Sequence, residues 1–213
     1  MRSNIIENYK KTLRLSDEQR DIIVGSLLGD GCLETQNNGK TYRLKIENML
    51  AQKDYVDWKY NFLKEWVLTP PQIKKHVFYG KERENYRFAT VSHGSLRFYA
   101  QQFYQDGKKV MPKLIGKLLT PLALAVWFMD DGSIKSNHHK ALVIHAQSFE
   151  KIDLEKAIKV LESKYSIKAN LRKRDDGSGY VLYLLSETVD EFIDTVKGYT
   201  IPSMKYKLGN TIA

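Results

Sequence analysis

The sequence has little of what marks secreted or membrane-spanning chains. Its 213 residues include one cysteine, Cys32, which excludes an intramolecular disulfide and suits a reducing compartment. The longest apolar run, residues 122–129, is far shorter than the ~18 residues that a membrane span needs. Residues 1–11 contain no apolar signal core. We therefore expect a protein inside the cell with no membrane partner, in a bacterial or archaeal cytoplasm or in an organelle matrix.

Acidic residues are outnumbered by basic ones. Asp plus Glu total 25 against 34 Lys plus Arg, which gives a net charge of +9. An excess of positive charge favours a polyanion as partner. A basic protein with no nucleic-acid role is the alternative, because net charge alone does not specify a partner.

The first half of the chain alternates between helical and strand patterns. Ser16 and Gln19 form the capping-box pattern that begins a helix, which we expect to run to Asp30. Two strands joined by an Asn38–Gly39 turn follow, then an amphipathic helix, a second strand pair and a short helix.

The second half repeats this order. Thr120 and Pro121 are typical of a helix start, and this helix is expected to end at Asp131. Each half therefore reads α-β-β-α-β-β-α, and Asp30 and Asp131 lie 101 positions apart (131 − 30). A repeat of this length predicts an α+β fold with duplicated halves and pseudo-twofold symmetry. The expected division is an N-terminal half over 1–105, a basic connector over 106–119 and a C-terminal half over 120–213.

The two helices that end in an acidic residue and a glycine are apolar on nearly all faces, which predicts that both are buried. Gly25 and Gly29 stand one turn apart and would let the second helix approach closely, so that the two C-terminal ends converge. Two carboxylates ~4 Å apart repel by ~4 kcal/mol at an effective dielectric of 20. A divalent cation would relieve this repulsion at Asp30 and Asp131. The alternative is that both are ordinary turn formers, because Asp-Gly is a common turn pair.

These helix ends carry a family resemblance. The stretches "IVGSLLGDG" (23–31) and "LAVWFMDDG" (124–132) resemble the two copies of the motif that names the LAGLIDADG homing endonucleases. The stretch "IPSMKYKLGNT" is similar to the monomeric, intron-encoded branch that includes yeast mitochondrial enzymes. The resemblance covers almost the whole chain.

The resemblance implies a fold and an activity. The motif helices would pack at the centre, and two saddle-shaped antiparallel sheets would lie on double-stranded DNA. The protein would be a monomer that makes a double-strand break in a long, largely asymmetric site and leaves 3′ overhangs. Cleavage would need Mg²⁺ or Mn²⁺, with two or more ions shared between the halves.

The resemblance also implies site residues. Asp30 and Asp131 would bind the metal, and Asp130, at the motif's alanine position, would be a helix-end residue. Lys109 and Lys207 would organise water or steady phosphate charge near the cleavage centre. Polar strand residues facing the scissile phosphate would be Glu47 and Gln147. Glu47 departs from the commoner glutamine, so it would either accept a hydrogen bond from water or balance nearby lysines.

Strand alternation predicts which side chains face DNA, where Arg, Lys and Asn read bases or hold phosphates. In the first half they are Arg43, Lys45, Lys74, His76 and Arg87. In the second half they are Lys168, Asn170, Arg172 and Arg174. A merely solvated charged face is the alternative for each cluster.

Two other functions are compatible with this fold. An intron maturase would grip intron RNA and assist splicing, and a regulator would bind DNA without cutting it. The presence of both Asp30 and Asp131 favours cleavage, because neither alternative needs a paired metal site.

Overall fold

The computed structural model describes residues 2–78, 80–136, 139–174 and 176–211. The N-terminal part of the chain consists of α1 (Arg2–Thr12), α2 (Asp17–Leu28), β1 (Cys32–Glu34), β2 (Arg43–Met49), α3 (Lys53–Leu63), β3 (Gln72–Phe78), β4 (Lys81–Ala89) and α4 (Arg97–Phe103). The middle of the chain contains β5 (Tyr104–Gln105), β6 (Lys108–Lys109) and α5 (Ile115–Leu118). The C-terminal part consists of α6 (Pro121–Asp131), β7 (Gly132–Ser136), β8 (His139–His145), α7 (Lys151–Tyr165), β9 (Ala169–Lys173), β10 (Tyr180–Leu184) and α8 (Val189–Val196), followed by 3₁₀ turns over Pro202–Thr211. Within the described ranges, every helix is too short or too polar to span a bilayer.

The two halves share one sheet topology. The first sheet has the order β1-β2-β4-β3 and the second has the order β7-β8-β10-β9, and the pairings are antiparallel in both. One face of each sheet packs on the helices, and a single apolar core runs through both halves. The predicted α+β fold with two pseudo-symmetric halves is confirmed.

The two motif helices begin as their sequences predict. Ser16 Oγ accepts the Gln19 N–H at 3.2 Å, and the Gln19 side chain accepts the Ser16 N–H at 3.1 Å, which completes a capping box. Thr120 Oγ1 accepts the Ala123 N–H at 3.1 Å, and Pro121 occupies the first turn. Each start satisfies main-chain donors that would otherwise lack partners.

Glycine allows these two helices to pack without a gap. A Cβ at Gly25 would lie 2.5 Å from the main-chain oxygen of Ala123 and 2.5 Å from Val126 Cβ. A Cβ at Gly29 would lie 2.4 Å from Asp130 Cβ. The expected contact between α2 and α6 at the centre of the molecule is therefore present, and it brings their C-terminal ends together.

Two features were not expected from the sequence. Helix α1 precedes the first repeat, and its Tyr9 hydroxyl donates to the main-chain oxygen of Glu65 at 2.6 Å. The β5–β6 hairpin turns at Asp106 and Gly107, both with positive φ, and spans the position where the first half was expected to end. This hairpin holds Lys109 at a defined place, which a plain linker could not do.

Candidate active site

Two acidic residues lie near each other where α2 and α6 end. Asp30 follows the C-terminus of α2, and Asp131 is the last residue of α6. The main-chain N–H of Asp30 donates to Asp130 Oδ2 at 3.2 Å, which ties the first helix end to the second. Asn48 Nδ2, from β2, donates to Asp30 Oδ2 at 3.1 Å. The structure thus brings together the residues that the sequence singled out as the acidic centre.

Burial and mutual repulsion disfavour negative charge on the carboxylates of this centre, against the opposite effect of nearby lysines. Burial, and then the charge of Asp130, raise the pKa of the Asp30 carboxyl. Burial, followed by the charges of Asp130 and Asp30, raises the pKa of Asp131 to about 8. Carboxylates that repel each other at a partly exposed place are a suitable donor set for a hard divalent cation.

The donor set limits which other ligands a cation could have. Within the described ranges, no three His, Cys, Asp or Glu side chains are grouped to hold a metal ion. Asp30 and Asp131 therefore provide only some of the oxygen ligands that a cation needs, and water or phosphate oxygens would complete its coordination. Mg²⁺ suits such a site, since it usually retains several waters and binds through one or two carboxylates.

The two expected lysines lie at matching places beside this centre. Lys109 Nζ donates to the main-chain oxygen of Gly29 at 2.7 Å. Lys207 Nζ donates to the main-chain oxygens of Met129 at 2.5 Å and Asp130 at 2.8 Å. Gly29 and Asp130 each directly precede the acidic residue of their own half, so the two lysines occupy equivalent positions in the two halves.

Burial affects these lysines as it affects the carboxylates. It lowers the pKa of Lys109 and of Lys207, against the opposite pull of the nearby aspartates. Both ammonium groups are anchored by carbonyl oxygens at helix C-termini, where the helix dipole favours positive charge. Their roles in cleavage stay predictions.

A buried lysine that the sequence did not reveal faces the centre from α3. Lys59 Nζ lies 2.7 Å from Asp130 Oδ1 and 3.0 Å from Asp130 Oδ2, and both side chains are fully buried. Asp130 is therefore more than a helix-end residue. The one available signal was a lysine at a position where the helical spacing of α3 demands an apolar side chain.

Glu47 lies among positive groups on β2. Its carboxylate is 2.8 Å from Lys45 Nζ, 3.1 Å from His76 Nε2 and 2.8 Å from Asn85 Nδ2. Burial alone would raise the pKa of Glu47, but the hydrogen bonds from Asn85, Lys45 and His76 outweigh it and lower the pKa to about 2. Of the two roles left open for Glu47, these contacts favour the balancing of nearby cations.

The expectation that Gln147 lies on a strand is wrong. Strand β8 ends at His145, and Gln147 lies exposed in the turn that leads to α7. The error came from counting residues from the aspartate in both halves, although the loops between the paired strands differ in length.

Strand register identifies the residue that matches Glu47. Cys32 and Ser133 each lie two positions after the acidic motif residue of their half. Cys32 pairs with Lys45 in the first sheet, and Ser133 pairs with Val143 in the second. Two residues further along these strands lie Glu47 and His145. His145 therefore occupies the place that was assigned to Gln147, and a hydrogen bond of 2.9 Å joins its Nε2 to Ser133 Oγ.

The charged face of the first sheet is arranged as alternation predicts. Leu44, Ile46 and Phe88 point into the core. The five residues expected to contact DNA point the opposite way and share that face with Glu47: Arg43, Lys45, Lys74, His76 and Arg87. Register places Arg87 opposite Glu47 on the neighbouring strand. The structure thus brings this predicted cluster together.

The second sheet has a different outer face. Asn170 and Arg172 lie on β9, whereas Lys168 precedes it and Arg174 follows it. Lys168 is paired with Glu187 at 3.0 Å, and Arg174 with Asp176 at 2.9 Å. The four predicted residues therefore do not form one continuous strand face.

An aromatic side chain organises this second face. The Arg172 guanidinium lies 3.7 Å from the Tyr183 ring centroid, and Lys135 Nζ lies 5.1 Å from it. Ala141 and Val143 pack beside Tyr183. Tyr183 and Lys135 were missed in the sequence, where only their strand parity could have indicated them.

The fold and its centre define a class of duplicated α+β proteins with one acidic centre between two sheets. A sequence profile of the LAGLIDADG DNA endonuclease family matches residues 20–192, and the chain belongs to this family.

Known proteins with similar sequences include a maturase and a DNA endonuclease. The chain is 31% identical to the cytochrome b mRNA maturase bI2 of Debaryomyces hansenii over 98% of this chain and 79% of that protein. It is 32% identical to DNA endonuclease I-ChuI of Chlamydomonas applanata, over 93% of this chain and 97% of that one.

A solved structure has a similar fold over nearly the full length. The homing endonuclease I-WcaI bound to its DNA recognition sequence matches with a TM-score of 0.88 and 28% identity, over 95% of this chain and 91% of that chain.

Proposed function

We propose that this chain is a site-specific homing endonuclease that makes a metal-dependent double-strand break in a long, largely asymmetric DNA site and leaves 3′ overhangs. The observation that carries the proposal is the convergence of Asp30 and Asp131 at the ends of the two packed motif helices, where Asp130 Oδ2 accepts the main-chain N–H of Asp30. The relatives named as a DNA endonuclease and as a DNA-bound homing endonuclease support the same activity.

The acidic pair would hold divalent cations against the DNA backbone. Bound Mg²⁺ or Mn²⁺ supplies a Lewis acid and an activated water for phosphodiester hydrolysis. Asp30 and Asp131 would hold and orient these ions, and we propose that two or more ions are shared between the halves. Both carboxylates come from one chain, which supports a monomer as the active form.

Lys109 and Lys207 would act beside the acidic pair. Each ammonium is fixed by a carbonyl oxygen next to a motif aspartate, so each can keep hydrogens directed at a phosphate or water without a change in position. A preorganised positive charge stabilises the charge that develops on phosphate oxygens in the transition state.

The sheets would supply recognition. Arg43, Lys45, Lys74, His76 and Arg87 present positive charge on one face of the first sheet. In the second half, Asn170 and Arg172 face outward, and Lys168 and Arg174 flank the strand. Antiparallel strands in the major groove can read base edges with Arg and Asn and hold phosphates with Lys.

An intron maturase is the second candidate. The relative from Debaryomyces hansenii is named a cytochrome b mRNA maturase, which favours intron RNA as an alternative partner. The paired acidic centre is not needed for RNA binding alone, so we give cleavage precedence. The expected compartment inside the cell stays a prediction.

One experiment separates these functions. The purified protein is incubated with a plasmid library, with Mg²⁺ or with EDTA. The library contains, as one continuous sequence, the two flanks of the gene that the protein's coding sequence interrupts. Double-strand breaks at one locus that need Mg²⁺ support the endonuclease. Binding and faster splicing of the precursor RNA, with no breaks in DNA, would overturn it in favour of the maturase.

A further inference from the structure

The pseudo-symmetry of the candidate centre is broken directly beside the motif aspartates. Gly29, which follows α2, matches Asp130 of α6, because each directly precedes the acidic residue of its half. A Cβ on Gly29 would lie 2.4 Å from Asp130 Cβ and 2.5 Å from Asp130 Oδ2, so the glycine provides the space that the Asp130 side chain occupies. Only one of the two helices can carry a carboxylate here.

This additional carboxylate has a partner with no counterpart in the second half. Lys59 Nζ contacts both Asp130 oxygens and lies 4.3 Å from the centroid of the Tyr55 ring, all out of contact with solvent. The corresponding helix of the second half, α7, contributes no lysine to its buried face, which is formed by Asp153, Leu154, Ala157 and Leu161.

The Lys59–Asp130 pair reaches the acidic centre through Asp30. Lys59 fixes the Asp130 carboxylate, and Asp130 Oδ2 accepts the main-chain N–H of Asp30 at 3.2 Å. Asn48 holds the Asp30 carboxylate from the other side at 3.1 Å. Asp30 is therefore fixed at both its main chain and its side chain.

Asp131 is held differently. In the described part of the chain, no side chain donates a hydrogen bond to its carboxylate. The residue that matches Asn48 is Ala146, which follows His145 and has no donor in its side chain. The two motif aspartates thus have the same place in the fold but unequal support.

We propose that Lys59 and Asp130 are positioning residues that hold Asp30, but not Asp131, in the geometry needed for cleavage, so that the two DNA strands are cut by inequivalent halves of one centre. This inference rests on the proposed endonuclease function. The proposal requires that Asp30 and Asp131, at the ends of different helices, each serve one of the two scissile phosphates. Loosening Asp30 therefore slows one strand more than the other.

The test measures each strand separately. A duplex that contains the cleaved site carries a different fluorophore on each strand, and single-turnover rates are followed with Mg²⁺. The double variant Lys59→Met/Asp130→Ala removes the pair without leaving a buried charge. We expect one strand to be cut about tenfold more slowly, which corresponds to ~1.4 kcal/mol, and the other to change less than about threefold.

The control removes another ion pair on the same helix. Lys53 and Asp57 form a partly exposed pair on α3. Lys53→Met/Asp57→Asn, in which the amide that replaces the carboxylate can still accept the Tyr86 hydroxyl, should leave both strand rates unchanged. A second variant, Asn48→Ala, loosens Asp30 through its other contact and should slow the same strand as the double variant. This keeps the test decisive if the double variant does not fold.

The outcomes separate this inference from the function on which it rests. A wild-type protein that makes no Mg²⁺-dependent cut would overturn the endonuclease itself. A wild type that cuts, with variants that slow both strands equally or slow neither, would overturn the positioning role alone.

Discussion

Lys59 and Asp130 form a fully buried ion pair between the two halves of the molecule, with 2.7 Å between Nζ and Oδ1. Lys59 belongs to α3 of the first half and Asp130 to α6 of the second. The pair is therefore a link across the pseudo-twofold axis as well as a support for the candidate centre.

The stability of the protein should depend on keeping both members of this pair or neither. Lys59→Met leaves the Asp130 carboxylate buried without its cation, and should lower the free energy of unfolding by about 3–5 kcal/mol. The double variant Lys59→Met/Asp130→Ala should recover part of that loss, with a coupling of about 1–3 kcal/mol. Denaturant unfolding measures the free energy of unfolding of each variant. A loss in the double variant larger than the sum of the losses in the two single variants would contradict this account.

The packing of the two motif helices predicts a sharp difference between two glycines. Gly25→Ala places a Cβ 2.5 Å from the Ala123 oxygen and should destabilise the protein by about 1–3 kcal/mol through overpacking. At Gly116, also in a helix, the nearest atom to such a Cβ is Val160 Cγ2 at 3.7 Å. Gly116→Ala should therefore be neutral or slightly stabilising in thermal unfolding. Equal effects at the two positions would mean that the helices are not in close contact.

Glu47 should stabilise the fold in a pH-dependent way. Its pKa of about 2 in the folded protein is below its ordinary 4.5, so its contribution is present above about pH 4.5 and is lost as the pH falls toward 2. The difference in melting temperature between wild type and Glu47→Gln should be largest near neutral pH and should disappear near pH 2. A difference that stays constant over this range would show that the carboxylate is not held by its neighbours.

Removal of either central lysine should slow cleavage more than it weakens binding. Lys109→Met and Lys207→Met each take away a preorganised positive charge, and we expect single-turnover rates to fall about 100-fold. DNA affinity should change by no more than the loss of about one phosphate contact, seen as a slightly smaller salt dependence. Rates equal to the wild type in both variants would leave these lysines with a structural role only.

Much of the fold could be predicted from local sequence signals. The capping residues Ser16 and Thr120 locate the starts of the motif helices, and the small Gly25 and Gly29 indicate their close approach. Alternation placed Arg43 and Lys45 on the outer face, because one face of that strand had to be apolar.

Other features depended on contacts between distant parts of the chain. Lys59 meets Asp130 only after the halves have packed. The apolar spacing of α3 indicates a buried position for Lys59, but the sequence does not identify its partner. His145, and not Gln147, matches Glu47 because of the strand register, which could not be read from the sequence. Helix α1 is polar over most of its length, so apolar periodicity could not identify it.

The most direct test of the central claim is the cleavage of a site-containing duplex by Asp30→Asn and by Asp131→Asn, each compared with the wild type in Mg²⁺. Both substitutions keep the shape of the side chain and remove the charge that would attract a cation. We predict that neither variant makes double-strand breaks, while binding of the same duplex in the absence of Mg²⁺ is retained. Breaks at the wild-type rate from either variant would contradict a shared acidic centre.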